Sequence, residues 1–100
     1  MTIVHIENTV QDFDVWKAAF DKYERFRAEQ GVRRYRMCRS IVDPNQVVID
    51  LEFEDEAAAQ AFLPRLAQIV ASPQAQAQLL QHSTPRLYTV VTERVPVATG

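Results

Sequence analysis

The sequence predicts an α+β fold with the element order βαββαβ, in which four antiparallel strands form one sheet and the helices cover one of its faces. Three observations favour this fold. Residues 32–53 alternate as two strands joined by a turn, residues 12–30 carry an aromatic stripe at helical spacing, and further strands are expected at residues 2–8 and 86–95. The spatial strand order would be 4-1-3-2, with the first and third strands in the middle.

Length and composition indicate a single globular domain. The chain has 100 residues and is 47% hydrophobic, so we expect one domain over residues 1–95 and a flexible tail at 96–100. The formal net charge of −2 argues against a nucleic-acid partner, and the apolar runs are too short to span a membrane. The N-terminus does not resemble a signal peptide and the chain has one cysteine, which together predict a cytoplasmic protein.

The first strand, at residues 2–8, has one plainly apolar face, which is formed by Val4 and Ile6. The other face includes His5 and Glu7. Since a central strand needs both faces covered, the polar face of this strand also requires a covering surface.

The first helix is predicted over residues 12–30, with Asp12 as its N-cap and Asp14 in its first turn. Aromatic side chains recur at spacings of three and four, which predicts a stripe that faces the sheet. The stripe consists of Phe13, Trp16, Phe20, Tyr23 and Phe26. Gly31 follows, at the position where a left-handed C-cap ends such a helix.

The hairpin turns at residues 43–46, whose Asp-Pro-Asn-Gln sequence suits a type I turn. Two registers are open. A two-residue loop would pair Val42 with Val47. A three-residue loop whose last residue is left-handed would pair Ile41 with Ile49.

We expect the three-residue loop, because it places Met37 and Ile41 on one face with the apolar side chains of the following strand. This register requires Gln46 to adopt the left-handed conformation. The opposite face of the hairpin is then charged, and Arg36 lies opposite Glu54 on the neighbouring strand.

A second helix begins at Asp55 or Glu56, and we expect a kink or a break at Pro64 because proline removes a helical hydrogen bond. The Ser72-Pro73 pair then predicts the N-cap and first residue of a shorter helix that reaches about residue 81. A loop leads from this helix to the last strand.

Several short motifs lie at the predicted element boundaries. They are Asp12-Phe13-Asp14-Val15-Trp16-Lys17, Gly31-Val32, Tyr35-Arg36, Asp43-Pro44-Asn45, and Leu51-Glu52-Phe53 before an acidic, alanine-rich helix. Together they resemble the dimeric α/β-barrel superfamily, which contains the antibiotic-biosynthesis monooxygenases, over residues 2–93. The resemblance implies a ferredoxin-like subunit that forms a homodimer, in which the helix-free faces of two sheets pack into a shared barrel.

The superfamily includes cofactor-free monooxygenases, haem-degrading enzymes, lactone isomerases and dehydratases. Haem-degrading members use an Asn on the first strand, a Trp on the second helix and a His after it. Asn8 and His82 resemble the first and last of these, but Phe62 is the only aromatic residue on the second helix, so we expect no haem. Monooxygenase members use Asn, Trp and Arg in a pocket between sheet and helices, whereas Trp16 lies on the first helix.

His5, Asp50 and His82 are the candidate catalytic residues. His5 and Asp50 lie on neighbouring strands, and an imidazole beside a carboxylate can act as a general base near neutral pH. His82 follows the second helical region and is the other candidate acid or base. The alternative interpretations are a polar pair at a dimer interface for His5 and a surface histidine for His82.

Trp16, Tyr35 and Tyr88 are the candidate substrate-binding residues, because aromatic side chains form sites for flat ligands, although they also commonly fill cores. The sequence contains no Gly-rich phosphate loop, nucleophile elbow or metal motif, so neither a cofactor nor a metal is expected. Together with these candidate residues, the resemblance implies a cofactor-independent monooxygenase-like or isomerase-like enzyme acting on a small, flat organic molecule. The alternative is a non-catalytic ligand-binding or dimerisation module.

Overall fold

The computed structural model describes residues 1–98, so the end of the predicted tail at 96–100 lies outside the described residues. The elements in chain order are β1 (Thr2–Val10), α1 (Phe13–Asp21), α2 (Glu24–Glu29), β2 (Arg34–Arg39), β3 (Gln46–Phe53), α3 (Glu56–Val70), α4 (Pro73–Gln78), β4 (Leu79–His82) and β5 (Arg86–Thr89).

The strands form one antiparallel sheet in the order β2-β3-β1-β4, and β5 also pairs with β1. The predicted α+β arrangement with β1 and β3 in the middle is confirmed, but the described residues contain five strands instead of four. Two short strands share one edge of β1: β4 pairs near its end, at Asn8 and His82, and β5 pairs near its beginning, at Thr2 and Thr89. Pro85 lies between them and has no N–H to donate to a ladder.

The predicted boundaries around β4 and β5 are wrong. The last helix ends at Gln78 instead of residue 81, because Leu79 is extended (φ −86, ψ 104) and pairs with Val10. The backbone of Gln78 also accepts a 2.7 Å hydrogen bond from the Gln11 N–H, which ties this corner to β1. The last strand ends at Thr89 instead of residue 95.

The core lies between the sheet and the helices. Alternate side chains of β1 and β3 are buried on the helix-facing side, as the period-2 pattern predicts. The buried apolar residues of the two strands are Val4, Ile6, Val10, Val47, Ile49, Leu51 and Phe53. Trp16, Ala59 and Phe62 cover them from the helices.

The first helical region has the predicted caps but not the predicted length. The Asp12 carboxylate accepts a 3.2 Å hydrogen bond from the Val15 N–H and caps α1. The chain then leaves helical geometry at Tyr23 (φ −94, ψ 13) before α2 begins, so the single helix expected over 12–30 is wrong. Gly31 has a φ of +95, which confirms the left-handed C-cap.

The second helical region also keeps its predicted caps, at Asp55 for α3 and at Ser72 for α4, with Pro73 as the first residue of α4. However, α3 continues through Pro64, where a kink or break was expected. Both Pro64 and Gln60 are exposed. On this exposed side of α3, hydrogen bonding by water to the carbonyl that loses its helical partner would lower the cost of the missing bond.

The hairpin register differs from the prediction. Arg39 pairs with Val47, and Arg36 lies opposite Asp50 instead of Glu54. Glycine is the only residue type with positive φ among the described residues, so the left-handed conformation expected at Gln46 is absent. The shift is an even number of residues, and it therefore preserves which side chains face the core.

A longer loop causes the shift. The Ser40 hydroxyl accepts hydrogen bonds from the N–H groups of Val42 and Asp43, at 3.2 and 3.1 Å, and so ends β2 early. The Asp43 side chain then accepts from the Asn45 N–H at 3.0 Å, which is the local bond expected of Asp in this turn. Ile41, which was expected in the core, is fully exposed (100%).

Candidate functional site

The candidate residues fall on opposite sides of the sheet. Trp16 and His82 line a cavity between the sheet and the helices, whereas His5 and Asp50 lie together on the helix-free face. Tyr88 lies on that helix-free face too, with its ring nearly perpendicular to that of His5 (81°) at a centroid distance of 6.0 Å. These two clusters offer different chemistry.

The cavity has a volume of about 110 Å³ and continues into open space at its mouth. Apolar side chains from the sheet, α1 and α3 form most of its wall, and they include Ile6, Ile49, Leu51, Trp16, Phe20, Phe62, Leu66 and Ile69. Asn8, Arg27 and His82 add polar groups to this wall. A largely apolar pocket with a few polar groups suits a flat organic molecule.

A short hydrogen bond of 2.6 Å joins His82 Nδ1 to the Asn8 side-chain oxygen. The two residues meet because they are register partners across β1 and β4. Because an amide oxygen can only accept, Nδ1 carries the proton and the lone pair of the neutral ring lies on Nε2. Burial lowers the pKa of His82 from its ordinary value of 6.5. The ring is therefore neutral at pH 7 and able to accept a proton at Nε2.

Arg27 is the charged residue in the cavity wall and is only 6% exposed. Its guanidinium stacks over the Phe20 ring, 3.6 Å from the centroid, which is a cation–π geometry. Nη2 donates to the Phe20 carbonyl at 2.8 Å and to the Glu24 carboxylate at 3.2 Å. The first of these bonds spans the break between α1 and α2, so Arg27 also holds the two helices together.

Tyr35 packs into the helix-facing core, edge-on to Phe20 at a centroid distance of 5.5 Å. Its hydroxyl donates a 2.6 Å hydrogen bond to the Glu24 carboxylate, which also receives the bond from Arg27. Hydrogen bonding to Glu24 raises the pKa of Tyr35, and the same bond lowers the pKa of Glu24. Tyr35 thus fixes the carboxylate next to Arg27 and lies behind the cavity wall.

His5 on the helix-free face contacts two carboxylates. Nδ1 lies 2.6 Å from Asp50, its register partner on β3, and Nε2 lies 2.9 Å from Glu7. These hydrogen bonds, that to Asp50 first, raise the pKa of His5 above 6.5. An imidazole with both nitrogens bonded to carboxylates is stabilised as a cation, and its lone pair is not free to accept a proton from a substrate.

The stability that the His5 contacts contribute should therefore depend on pH. A raised pKa in the folded state gives a contribution that is complete below 6.5 and is lost as the pH rises through the folded-state value. We expect His5→Gln to lower the free energy of unfolding by about 1 kcal/mol at pH 5.5 and by less at pH 9, measured by urea denaturation.

His82→Gln is the matched control for this pH dependence. The folded-state pKa of His82 is lowered, so protonation below 6.5 favours the unfolded chain, and this variant should gain stability relative to the parent as the pH falls. An equal loss for His5→Gln at both pH values would contradict the cationic His5 pair.

Two residues of the cavity wall, Asn8 and Arg27, make contacts that the sequence did not predict. Asn8 was noted only for its resemblance to a haem-degrading position, and Arg27 was not singled out. The signal for Arg27 was present, because it follows Tyr23 by four residues and Phe20 by seven, which continues the aromatic stripe.

The described part of the chain contains no group of three or more His, Cys, Asp or Glu side chains arranged to hold a metal ion. None of its helices has both the length and the apolar character needed to cross a membrane.

The fold and the cavity define a ferredoxin-like α+β protein with a largely apolar pocket between its sheet and its helices. The family model for antibiotic biosynthesis monooxygenases matches residues 1–77, and the chain belongs to this family. No curated protein matches the chain significantly.

Solved structures share the fold at low sequence identity. A variant of SnoaB, a cofactor-independent oxygenase from Streptomyces nogalater, has a TM-score of 0.71 at 18% identity, over 92% of this chain and 93% of that chain. A dimeric ferredoxin-like protein from an uncultured marine organism has a TM-score of 0.66 at 18% identity, over 93% and 96%. An antibiotic biosynthesis monooxygenase has a TM-score of 0.59 at 20% identity, over 92% and 100%.

Proposed function

We propose that the protein is a cofactor-independent oxygenase that acts on a small, flat aromatic substrate held in the cavity, with His82 as the general base. The observation that carries this proposal is the 2.6 Å bond from His82 Nδ1 to Asn8, in the wall of an otherwise largely apolar pocket. The bond directs the lone pair to Nε2, and burial keeps the ring neutral. Membership of the monooxygenase family and the likeness to SnoaB support the same reaction class.

The proposed reaction needs dioxygen as its only oxidant. His82 Nε2 removes a proton from an acidic O–H or C–H group of the substrate, which leaves a delocalised anion. The anion reduces dioxygen and forms a carbon–oxygen bond. One oxygen atom remains on carbon and the other leaves as water, so a CH₂ group becomes a carbonyl group. Trp16 and Phe20 hold the flat ring system, and the apolar wall excludes water from the anion.

The test is turnover of anthrone, 1,8-dihydroxyanthrone and 1-naphthol under air and under argon, with product mass and oxygen uptake measured together. The proposal expects uptake of one O₂ per product and no product under argon. A product of unchanged mass that also forms under argon would instead assign an isomerase that uses the same base. Binding of these compounds without any product would favour the ligand-binding module.

The proposed active form is a homodimer in which the helix-free faces of two sheets pack together. That face combines polar groups with apolar side chains such as Val48 and Tyr88, and Tyr88 is 48% exposed. The solved dimeric ferredoxin-like protein supports this assembly, as does the small size of the domain.

Val48→Glu should disrupt such a dimer. Val48 lies between Glu7 and Cys38 across the sheet, so the new carboxylate would face like charge in a desolvated interface. We expect the dissociation constant to rise by about 100-fold or more, measured by size-exclusion chromatography with light scattering across a concentration series. Gln68→Glu, at an exposed position on α3, is the control and should remain dimeric. A monomeric parent protein would contradict the assembly.

A further inference from the structure

We infer that the cavity binds a flat ligand bearing a carboxylate group, and that Arg27 recognises this group. The inference deepens the proposed function, since it takes the cavity as the substrate site and assigns the chemical class of the substrate. It rests on the charge, the burial and the unused hydrogen-bonding capacity of Arg27.

The first argument is the charge of the cavity wall. Among the described residues that line it there is no Asp, Glu or Lys, and the pKa of His82 is lowered, so Arg27 supplies the net charge of the wall. A buried cation is costly unless it is paired. The nearby carboxylate of Glu24 is an incomplete partner, because its side chain is 63% exposed and it also accepts the Tyr35 hydroxyl.

The second argument is that the hydrogen bonds within the fold use only some of the N–H donors of the Arg27 guanidinium. Nη2 makes the bonds to Phe20 and Glu24 that join α1 to α2. Nε is buried and has no hydrogen-bond partner within residues 1–98. Buried N–H groups are nearly always paired. Nε is shielded even when the cavity is empty, so a ligand would have to approach the outer edge of the guanidinium at Nη1, which takes part in neither bond.

The third argument is geometric complementarity. The guanidinium lies flat on the Phe20 ring, and its centre is also 5.1 Å from the Tyr35 ring, so its plane is fixed before any ligand binds. A fixed guanidinium edge matches the planar carboxylate group better than a flexible ammonium would. Trp16 and Phe20 are tilted aromatic neighbours, with centroids 5.3 Å apart, and they provide the adjoining surface for a flat ring.

The test compares binding of 2-naphthoate with binding of its uncharged analogue 2-naphthamide, by calorimetry and by the fluorescence of Trp16, which is the single tryptophan of the chain. We expect the parent protein to bind the carboxylate about tenfold more tightly than the amide. In Arg27→Gln this preference should fall to less than about twofold. Arg25→Gln, an exposed change on the same helix, should keep the full preference.

The parent protein alone can overturn the inference. Equal binding of the two compounds, or no binding of the carboxylate at millimolar concentration, would do so even if Arg27→Gln failed to fold. Preference retained in a folded Arg27→Gln variant would also overturn it. Arg27→Lys keeps the charge without the planar edge, and it should retain only part of the preference.

His82→Gln separates this inference from the proposed function. It should bind 2-naphthoate with the same preference as the parent, because the histidine acts on the reacting proton and not on the carboxylate. Turnover that is independent of His82, together with an intact carboxylate preference, would refute only the proposed base. Loss of the preference with turnover still dependent on His82 would refute only the role of Arg27.

Discussion

Replacing His82 with glutamine should lower kcat for oxygen-dependent turnover by about 100- to 10,000-fold, with KM changed by only a few fold. Glutamine has a similar reach and can still hydrogen-bond to Asn8, but it has no basic nitrogen at the position of Nε2. The substrate would therefore bind in the same apolar wall and fail to lose its proton. Steady-state oxygen uptake with anthrone as substrate measures both constants.

The pH profile of the parent enzyme provides a second measurement of the same role. The active form of the base is neutral, and burial lowers the pKa of His82 below 6.5. The kcat/KM value should therefore be constant above pH 6.5 and fall as the pH drops through the lowered pKa. Asn8→Leu removes the bond that fixes the tautomer, so it should reduce kcat while Asn8→Asp, which retains an acceptor, should reduce it less.

His5→Gln is the control for the assignment of the base. His5 lies on the opposite face of the sheet, where Asp50 and Glu7 bond both of its nitrogens, so its loss should leave kcat within about threefold of the parent. A large fall in kcat for His5→Gln, with His82→Gln fully active, would transfer the catalytic role to the helix-free face.

Local signals predicted the architecture because they depend on residues close together in sequence. Asp12 and Asp55 cap helices through N–H groups three residues further along the chain, and Gly31 supplies the positive φ that ends the first helical region. Period-2 alternation in β1 and β3 assigned the buried face correctly, even though the hairpin register was wrong, because an even shift preserves the face.

The sequence did not predict element ends that depend on competition between local and distant hydrogen-bond partners. The apolar pair Ile41-Val42 suggested a longer strand, but the Ser40 hydroxyl binds the local N–H groups and both side chains are exposed. Leu79 follows good helix-forming sequence, yet pairing with Val10 on β1 draws it into a strand. In both cases the sequence shows the propensity of one segment and not the partner that competes for its backbone.

The candidate site depends on the same distant contacts. Asn8 and His82 are 74 residues apart and meet only because β4 takes the edge of β1, so their pairing could not be read from spacing. Arg27 was recoverable in principle from the aromatic stripe, but an arginine in a helix is normally taken as solvated. The break at Tyr23 lets the Arg27 side chain reach the Phe20 carbonyl. No local sequence pattern predicted that break.

Phe53→Ala should have the largest effect on stability, lowering the free energy of unfolding by about 3–5 kcal/mol. Phe53 is 0% exposed at the end of β3 and packs against Phe62 of α3, with ring centroids 5.3 Å apart. The loss would be a large part of a total stability of roughly 5–15 kcal/mol. Urea denaturation at fixed protein concentration measures it, since dimerisation would add a concentration-dependent term.

Phe13→Ala is the matched control, because Phe13 is only partly buried at the start of α1 and should lose less than half as much stability. Phe62→Ala should lower the free energy of unfolding as much as Phe53→Ala, and the double variant should lose less than the sum of the two, because the pair shares one contact.

Of these two residues, only Phe62 lines the cavity. At a temperature where both variants stay folded, Phe62→Ala should therefore weaken binding of 2-naphthoate, whereas Phe53→Ala should leave it unchanged. Equal losses of binding in the two variants would contradict this prediction. They would mean that packing in the core under β3 determines the shape of the cavity as much as the residues that line it do.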